Sequence, residues 1–476
     1  MSTSSPLSSP QEIVERALAA ATTEGTVVIV TDRSEANLRW GNSSLTTNGE
    51  MGSRSVTVVA TAAVSGGAGG TASGVVGRTV VDVADVVALV AVAEAAARAG
   101  DPATDAAPLV TPAEAGAGSD FTLGPEPTSI GAFDAVARDL GEVFRAGGAG
   151  RQHFGFAEQV VDTTYLGTST GLRLRHVQPT GRLEMNAKNA DWSASSYLGF
   201  TLRDPSEADV LGADAELAKR LGWAARSIDL PAGRYETVMP PTCIADLLVY
   251  AVWEAEAKAA DEGRSAFSRK GGGSRVGDRL ARLPLDLYAD PHHPGIEAAP
   301  FAVVPASTGA ESVFDNGLAL GRHDWLRGGV LTSLAGSRAY AARSAAAGHQ
   351  TPMGVATDNL VLEQPGATVS LEDLVASTSR GLLLSTMWYI RTVDPQTLLQ
   401  TGLTRDGVYL VEDGEVVGTV TNFRWNESPL DVLDRITEVG RSERCYPREW
   451  GDYFTRAVMP PVRVADFNMS STSQAR

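Results

Sequence analysis

From Ala245 to Glu254 the chain runs Ala-Asp-Leu-Leu-Val-Tyr-Ala-Val-Trp-Glu, an apolar helical stretch without a basic side chain. A helix that is hydrophobic nearly all round has no face to offer water, so the rest of its domain must enclose it. The stretch predicts a buried helix whose Leu248, Val249, Val252 and Trp253 pack into a core. A chain of 476 residues is too long for one simple core, and two or three domains are expected.

A formal net charge of −17 argues against a general affinity for nucleic acid or anionic membrane. The most apolar segment, Thr79 to Ala99, contains Asp82, Asp85 and Glu94. A spanning helix would bury those carboxylates at a cost of several kcal/mol each, so an amphipathic helix of a soluble protein is predicted. No basic-then-apolar segment precedes the first helix, and no secretory signal is expected. Two widely separated cysteines, Cys243 and Cys445, have no zinc spacing and predict reduced thiols in the cytoplasm.

Ser9, Pro10 and Glu12 form the cap, first position and capping box of an opening helix. Strands are expected at Thr26–Val30, Glu35–Trp40 and Ser55–Ala62, then a helix from Asp85 to Ala99 ending at Gly100. Residues 101–127, rich in Ala, Pro, Gly and Thr, predict an exposed linker or long loop. A helix at Ile130–Ala146 and strands at Phe154–Val161, Gly171–Val177 and Gly181–Ala187 follow, then a helical stretch through Leu217 to Ala225. Asp413-Gly414 between two apolar runs marks a two-residue hairpin, and Ser428-Pro429-Leu430-Asp431 opens a helix expected to run to Gly440. The predicted division is 9–127, 128–232 and 233–467, with a disordered tail at 468–476.

Several chemistries lack support. Ser65 to Gly70 has the glycines of a phosphate loop but not its Lys-Ser/Thr ending, and predicts a hairpin connection. His153, His176, His292, His293, His323 and His349 include no pair at helical zinc spacing. His292 and His293, flanked by prolines, form the nearest approach to a metal cluster and predict an exposed loop. No Gly-x-Ser-x-Gly elbow occurs. Cys243 precedes the apolar helix, where the dipole would lower a thiol pKa; the alternative is a small buried residue at a domain junction. The loop Arg269-Lys270-Gly271-Gly272-Gly273 either lines a peptide path or is a solvated turn. Asn422, Arg424 and Asn426 alternate on one strand face, either to bind an extended peptide by strand addition or to hold the next helix.

Ordered motifs over roughly residues 9–467 resemble the TldD/PmbA family. They comprise Arg39-Trp40-Gly41-Asn42, the Gly167–Leu172 turn with Arg182, Glu184 and Asn186 after it, Thr401-Gly402-Leu403-Thr404-Arg405-Asp406-Gly407, and Asn422-x-Arg424-x-Asn426-x-Ser428-Pro429-Leu430. The last pattern resembles the non-catalytic PmbA (TldE) branch. The resemblance implies an α+β fold: an α/β N-terminal part with a mixed sheet, and a β-rich C-terminal domain. The family's catalytic member carries H-E-x-x-x-H on the helix, where this chain has Val249, Tyr250 and Glu254; Cys445 lies near the family's third ligand. Neutral imidazoles and a carboxylate base are what a zinc peptidase needs. The resemblance thus implies a subunit with no cofactor of its own, partnered by a TldD-like zinc peptidase that acts on unfolded peptides. Two alternatives stand beside it: a stand-alone hydrolase with a relocated metal or Cys243 site, and a non-enzymatic homodimeric peptide-binding protein.

Overall fold

The computed structural model describes residues 8–64, 69–79, 83–148, 150–348 and 351–473. Helix α1 (Pro10–Ala20) begins on the expected capping box. The Ser9 hydroxyl accepts the Glu12 N–H at 3.2 Å, and the Glu12 carboxylate accepts the Ser9 N–H at 2.7 Å. Its apolar stripe, Ile13, Val14 and Ala17, is buried.

The two strands expected before Gly41 are one, β1 (Gly25–Gly41). It pairs with β2 (Ser44–Ala63) on one side, and β2 pairs with β3 (Thr71–Thr79). The polar centre of β1 stays in the ladder because opposite charges face it. Asp32 opposes Arg54 at 2.5 Å on one neighbour, and Arg33 opposes Asp162 at 2.8 Å on the other. Of the glycine-rich connection, residues 65–68 lie outside the described residues; the Val64 N–H donates to Gly70 O at 2.9 Å, closing the β2–β3 link. Helix α2 (Val83–Ala99) and helix α3 (Asp134–Gly147) precede β4 (Arg151–Thr168), β5 (Arg173–Asn189) and β6 (Ser195–Leu202). The strands expected at 171–177 and 181–187 merge in β5. Pro179 interrupts nothing there, because β6 pairs with β5 only from Gly181 onward and leaves that edge without a ladder to break.

The sheet order is β3-β2-β1-β4-β5-β6, so residues 9–127 and 128–232 contribute to one six-stranded sheet. All its pairings are antiparallel; the parallel ones lie in the C-terminal sheets. Alternation along β1 sends Val28, Val30, Leu38 and Trp40 toward the helices, and Val27 and Ile29 to the opposite face. On that opposite face, Val110 packs with Phe301, Val304 and Phe314. Segment 101–127 is therefore the expected long loop, irregular and largely exposed, but tied to the sheet. Val110 packs on that face, and the carbonyls at Leu123 and Gly124 accept Tyr165 Oη and Arg175 Nη2 at 2.7 Å each.

Helix α4 (Val210–Trp223), β7 (Ser227–Ile228) and β8 (Gly233–Met239) lead into helix α5 (Pro241–Trp253), the predicted apolar helix. Leu248, Val249 and Val252 share one core with Leu287 and Leu360 of a six-stranded sheet and with Leu382 and Leu384 of an eight-stranded one. Trp253 departs from expectation: it is 44% exposed and lies against Trp450, ring centroids 5.3 Å apart. The hairpin turn is as predicted, with φ of 48° at Asp413 and 82° at Gly414.

Two C-terminal expectations fail. The helix after Ser428 spans only Pro429–Arg435, and Ile436–Val439 is a strand on Val462–Thr472. The Ser428 hydroxyl donates to Thr397 O at 2.9 Å instead of capping. The tail expected to be disordered from 468 is part of strand Val462–Thr472, an interior strand between β8 and Phe423–Glu427. Met469 is fully buried, which fixes the polar residues around it; residues 474–476 lie outside the described residues. No helix among the described residues is long and apolar enough to cross a membrane.

Candidate functional site

A cleft of about 1350 Å³ opens between β4–β6 and the C-terminal strands Leu399–Glu412 and Glu415–Val420. Its N-terminal wall follows from alternation in β5. Leu183, Met185 and Ala187 enter the core, so Glu184, Asn186 and Lys188 face the cleft. Their partners on β4 put Phe154 opposite Asn186 and Phe156 opposite Glu184, giving that wall an aromatic floor.

The facing wall centres on Asp406-Gly407, both at positive φ (54° and 118°) inside a strand. That irregularity turns the Asp406 carboxylate across the cleft. One oxygen accepts Ser195 Oγ at 2.8 Å and the other pairs with Arg448 Nη1. Arg448 also donates to Thr386 Oγ1 at 2.6 Å, and its guanidinium lies 3.8 Å from the Tyr197 ring centre. Glu184 accepts the hydroxyls of Tyr197 at 2.9 Å and Tyr446 at 3.3 Å. Burial, then the Glu184 carboxylate, pushes both phenols well above their ordinary range, so they serve as hydrogen-bond donors, not bases.

The sequence-predicted peptide contacts do not converge. Asn422 lines this cleft. Arg269 and Lys270 line a separate one of about 410 Å³, where Arg269 pairs with Asp278 at 2.6 Å. Gly272 N donates to Arg269 O at 3.0 Å, so the basic loop closes on itself. Arg424 and Asn426 sit on strand Phe423–Glu427, which pairs with 400–403 on one side and 469–472 on the other. Strand addition needs a free edge, and that strand has none.

The degenerate metal positions do not suit zinc. The Val249 side chain offers no lone pair and is buried in the core. The Tyr250 hydroxyl is engaged with Thr392 Oγ1, and Glu254 caps the end of α5. Cys445 and Cys243 are buried thiols. Burial, then the nearby Asp246 carboxyl, raises both well above the ordinary thiol value. That is the reverse of what a nucleophile or ligand at a helix start requires. His292 is exposed, and His293 Nδ1 lies 3.1 Å from Pro294 O. Among the described residues no three His, Cys, Asp or Glu side chains are grouped to hold a metal ion; His349 lies outside them.

Asp246 is a feature the sequence did not flag. It is fully buried on α5, accepts Glu449 N–H at 2.9 Å through Oδ1, and leaves Oδ2 without a partner. Burial raises its pKa well above the carboxylate range. The folded state then holds a proton that the unfolded chain loses near pH ~3.9, so stability declines as pH rises from there toward the raised folded value. Asp246→Asn keeps the Oδ1 acceptor and removes the ionisation. The difference in urea midpoint, variant minus parent, should grow with pH above about 4; a pH-independent difference would show that Asp246 does not titrate this way.

The description PmbA/TldA metallopeptidase C-terminal domain matches residues 232–471, beginning at β8. The chain belongs to the TldD/PmbA family. Its fold is that of TldE from Thermococcus kodakarensis, at TM-score 0.75 and 13% identity over 96% of this chain and 99% of the other. It is likewise similar to a candidate modulator of a DNA gyrase from Thermotoga maritima (TM-score 0.73, 17% identity, 96% and 99% covered). A third similar structure is a candidate modulator of DNA gyrase from Bacteroides thetaiotaomicron (0.72, 14%, 97% and 98%). No curated protein matches the chain.

Proposed function

We propose that this chain is a TldE-like, non-catalytic subunit that pairs in the cytoplasm with a TldD-like zinc peptidase acting on unfolded peptides, and that the cleft between its two sheets forms part of the peptide path. The observation that carries this is Val249. The position where the family's catalytic member has its first histidine is a core methyl-bearing side chain at 0% exposure. Tyr250 and Glu254 supply no imidazole, and the buried Cys445 thiol is raised away from the thiolate form. The match of fold to TldE over nearly the full chain supports the same reading. The buried state of Cys243 disfavours a thiol hydrolase.

Metal analysis and co-purification test the proposal. The purified chain should carry no stoichiometric zinc and cleave no unfolded peptide. A neighbouring gene product bearing H-E-x-x-x-H should co-purify with it and restore cleavage. Tight zinc in this chain alone, or peptidase activity without the partner, sinks the proposal.

A further inference from the structure

We infer that the cleft binds a peptide carboxylate, held by Arg405 and Lys188 beside an aromatic shelf of Phe154, Phe156 and Trp192. The inference deepens the proposed peptide path and rests on it.

The first argument is charge. The cleft's acidic side chains are already engaged: Asp406 by Arg448 and Ser195, Glu184 by two tyrosine hydroxyls. Two cations lining the same cleft have no such partners. Arg405 Nε is buried without a hydrogen-bond acceptor, and its nearest carboxylate oxygen, 3.9 Å away, is the one Arg448 holds. The Lys188 ammonium lies over aromatic rings. Its Nζ rests 4.4 Å from the Trp192 ring centre and 5.5 Å from that of Phe154. In a chain of net charge −17, this lining is locally positive. The Arg405 side chain is 40% exposed, so the rest of its guanidinium fork is open to the cleft, and an anion with two oxygens is the acceptor that suits such a fork best.

The second argument is backbone strain. Trp192 has φ 60°, unusual for a bulky side chain, and is 51% exposed. The β5–β6 turn enforces that conformation through Asn189 Oδ1, which accepts Ala194 N–H at 3.0 Å, and through Trp192 Nε1, which donates to Gln152 Oε1 at 2.8 Å. A tryptophan displayed against its preference, with its face over a lysine, is held for a ligand's apolar side chain. Carboxylate and neighbouring apolar group together describe an unfolded peptide better than a free inorganic anion.

Binding of short unfolded peptides to the purified chain tests this, measured by calorimetry with three acetylated versions of one sequence: free C-terminal acid, C-terminal amide, and amide with one internal glutamate. The free acid should bind at least about ten-fold more tightly than the amide. Tight binding of the glutamate version supports carboxylate recognition and assigns it to side chains; weak binding assigns it to the chain terminus. Arg405→Gln and Lys188→Gln should each pull the acid-to-amide ratio toward one without lowering the melting temperature, whereas Lys219→Gln should leave it unchanged. Equal binding of acid and both amides, no binding of any, or a ratio unaffected in Arg405→Gln overturns the inference. A chain that recruits the zinc peptidase but shows no carboxylate preference defeats this inference alone. A chain that shows the preference but recruits no zinc peptidase defeats the pairing alone.

Discussion

Arg448→Met is expected to lower the unfolding free energy by about 3–5 kcal/mol, the cost of leaving a buried charge without its partner. The side chains of Arg448 and Asp406 are 12% and 6% exposed, so water cannot replace the lost guanidinium. Thr386 Oγ1 loses its donor and the Tyr197 ring loses its cation. Methionine fills much of the volume, which separates the charge effect from a cavity effect. Asp406→Asn in the same background removes the orphaned charge while keeping the acceptor for Ser195. The double variant should therefore be more stable than the sum of the single losses predicts. Urea unfolding of all four proteins gives the cycle. Additive losses would mean that the pair is not coupled and that something else holds the cleft walls together.

The second large effect concerns two motifs far apart in the sequence. Gly402 and Trp425 are register partners on adjacent strands, and Trp425 is fully buried. A Cβ on Gly402 would sit 2.5 Å from Trp425 Cζ2, so the glycine is there because the indole lies over its backbone. Trp425→Ala should cost about 3–5 kcal/mol, from lost burial and the void left behind. Gly402→Val should cost about 1–3 kcal/mol through overpacking. In the Trp425→Ala background the same valine enters the void, and its cost should vanish or reverse sign. Thermal or urea unfolding reads this directly. A full valine penalty in that background would show that backbone conformation, not the indole, requires the glycine.

This pairing also shows why the family motifs were legible while the site was not. Thr401–Gly407 and Asn422–Leu430 stand out as strings because Gly402 and Trp425 answer each other across one ladder, while Gly407 holds a positive φ beside Tyr409. Arg182, Glu184 and Asn186 stood out only as a polar alternation against Leu183, Met185 and Ala187. What they face came from the fold: Asn186 Nδ2 lies 3.5 Å from Asp406, 220 positions away. Arg448 had no sequence signal, because nothing beside it predicts that it passes beneath Tyr197. Trp192 is a lone tryptophan in a polar turn until its φ and its lysine are seen.

The errors have the same origin. The polar tail after Phe467 gave no local sign of order, yet ladders on both sides hold it. Segment 101–127 is the long, largely exposed loop its composition indicates, but composition could not give the sheet face that Val110 covers. Strand addition at 422–426 was plausible from alternation and is closed by neighbours that alternation cannot reveal.

The sequence by itself determined the capped first helix, the Asp413-Gly414 hairpin, the enclosed helix α5 and the absence of histidines from it. Each of these depends on sterics, hydrogen bonds or ligand chemistry within a few residues of chain. Only the tertiary structure decided the length of the strands, the path of the tail and the walls of the cleft. Those depend on register and packing between segments hundreds of residues apart, which local propensity does not encode.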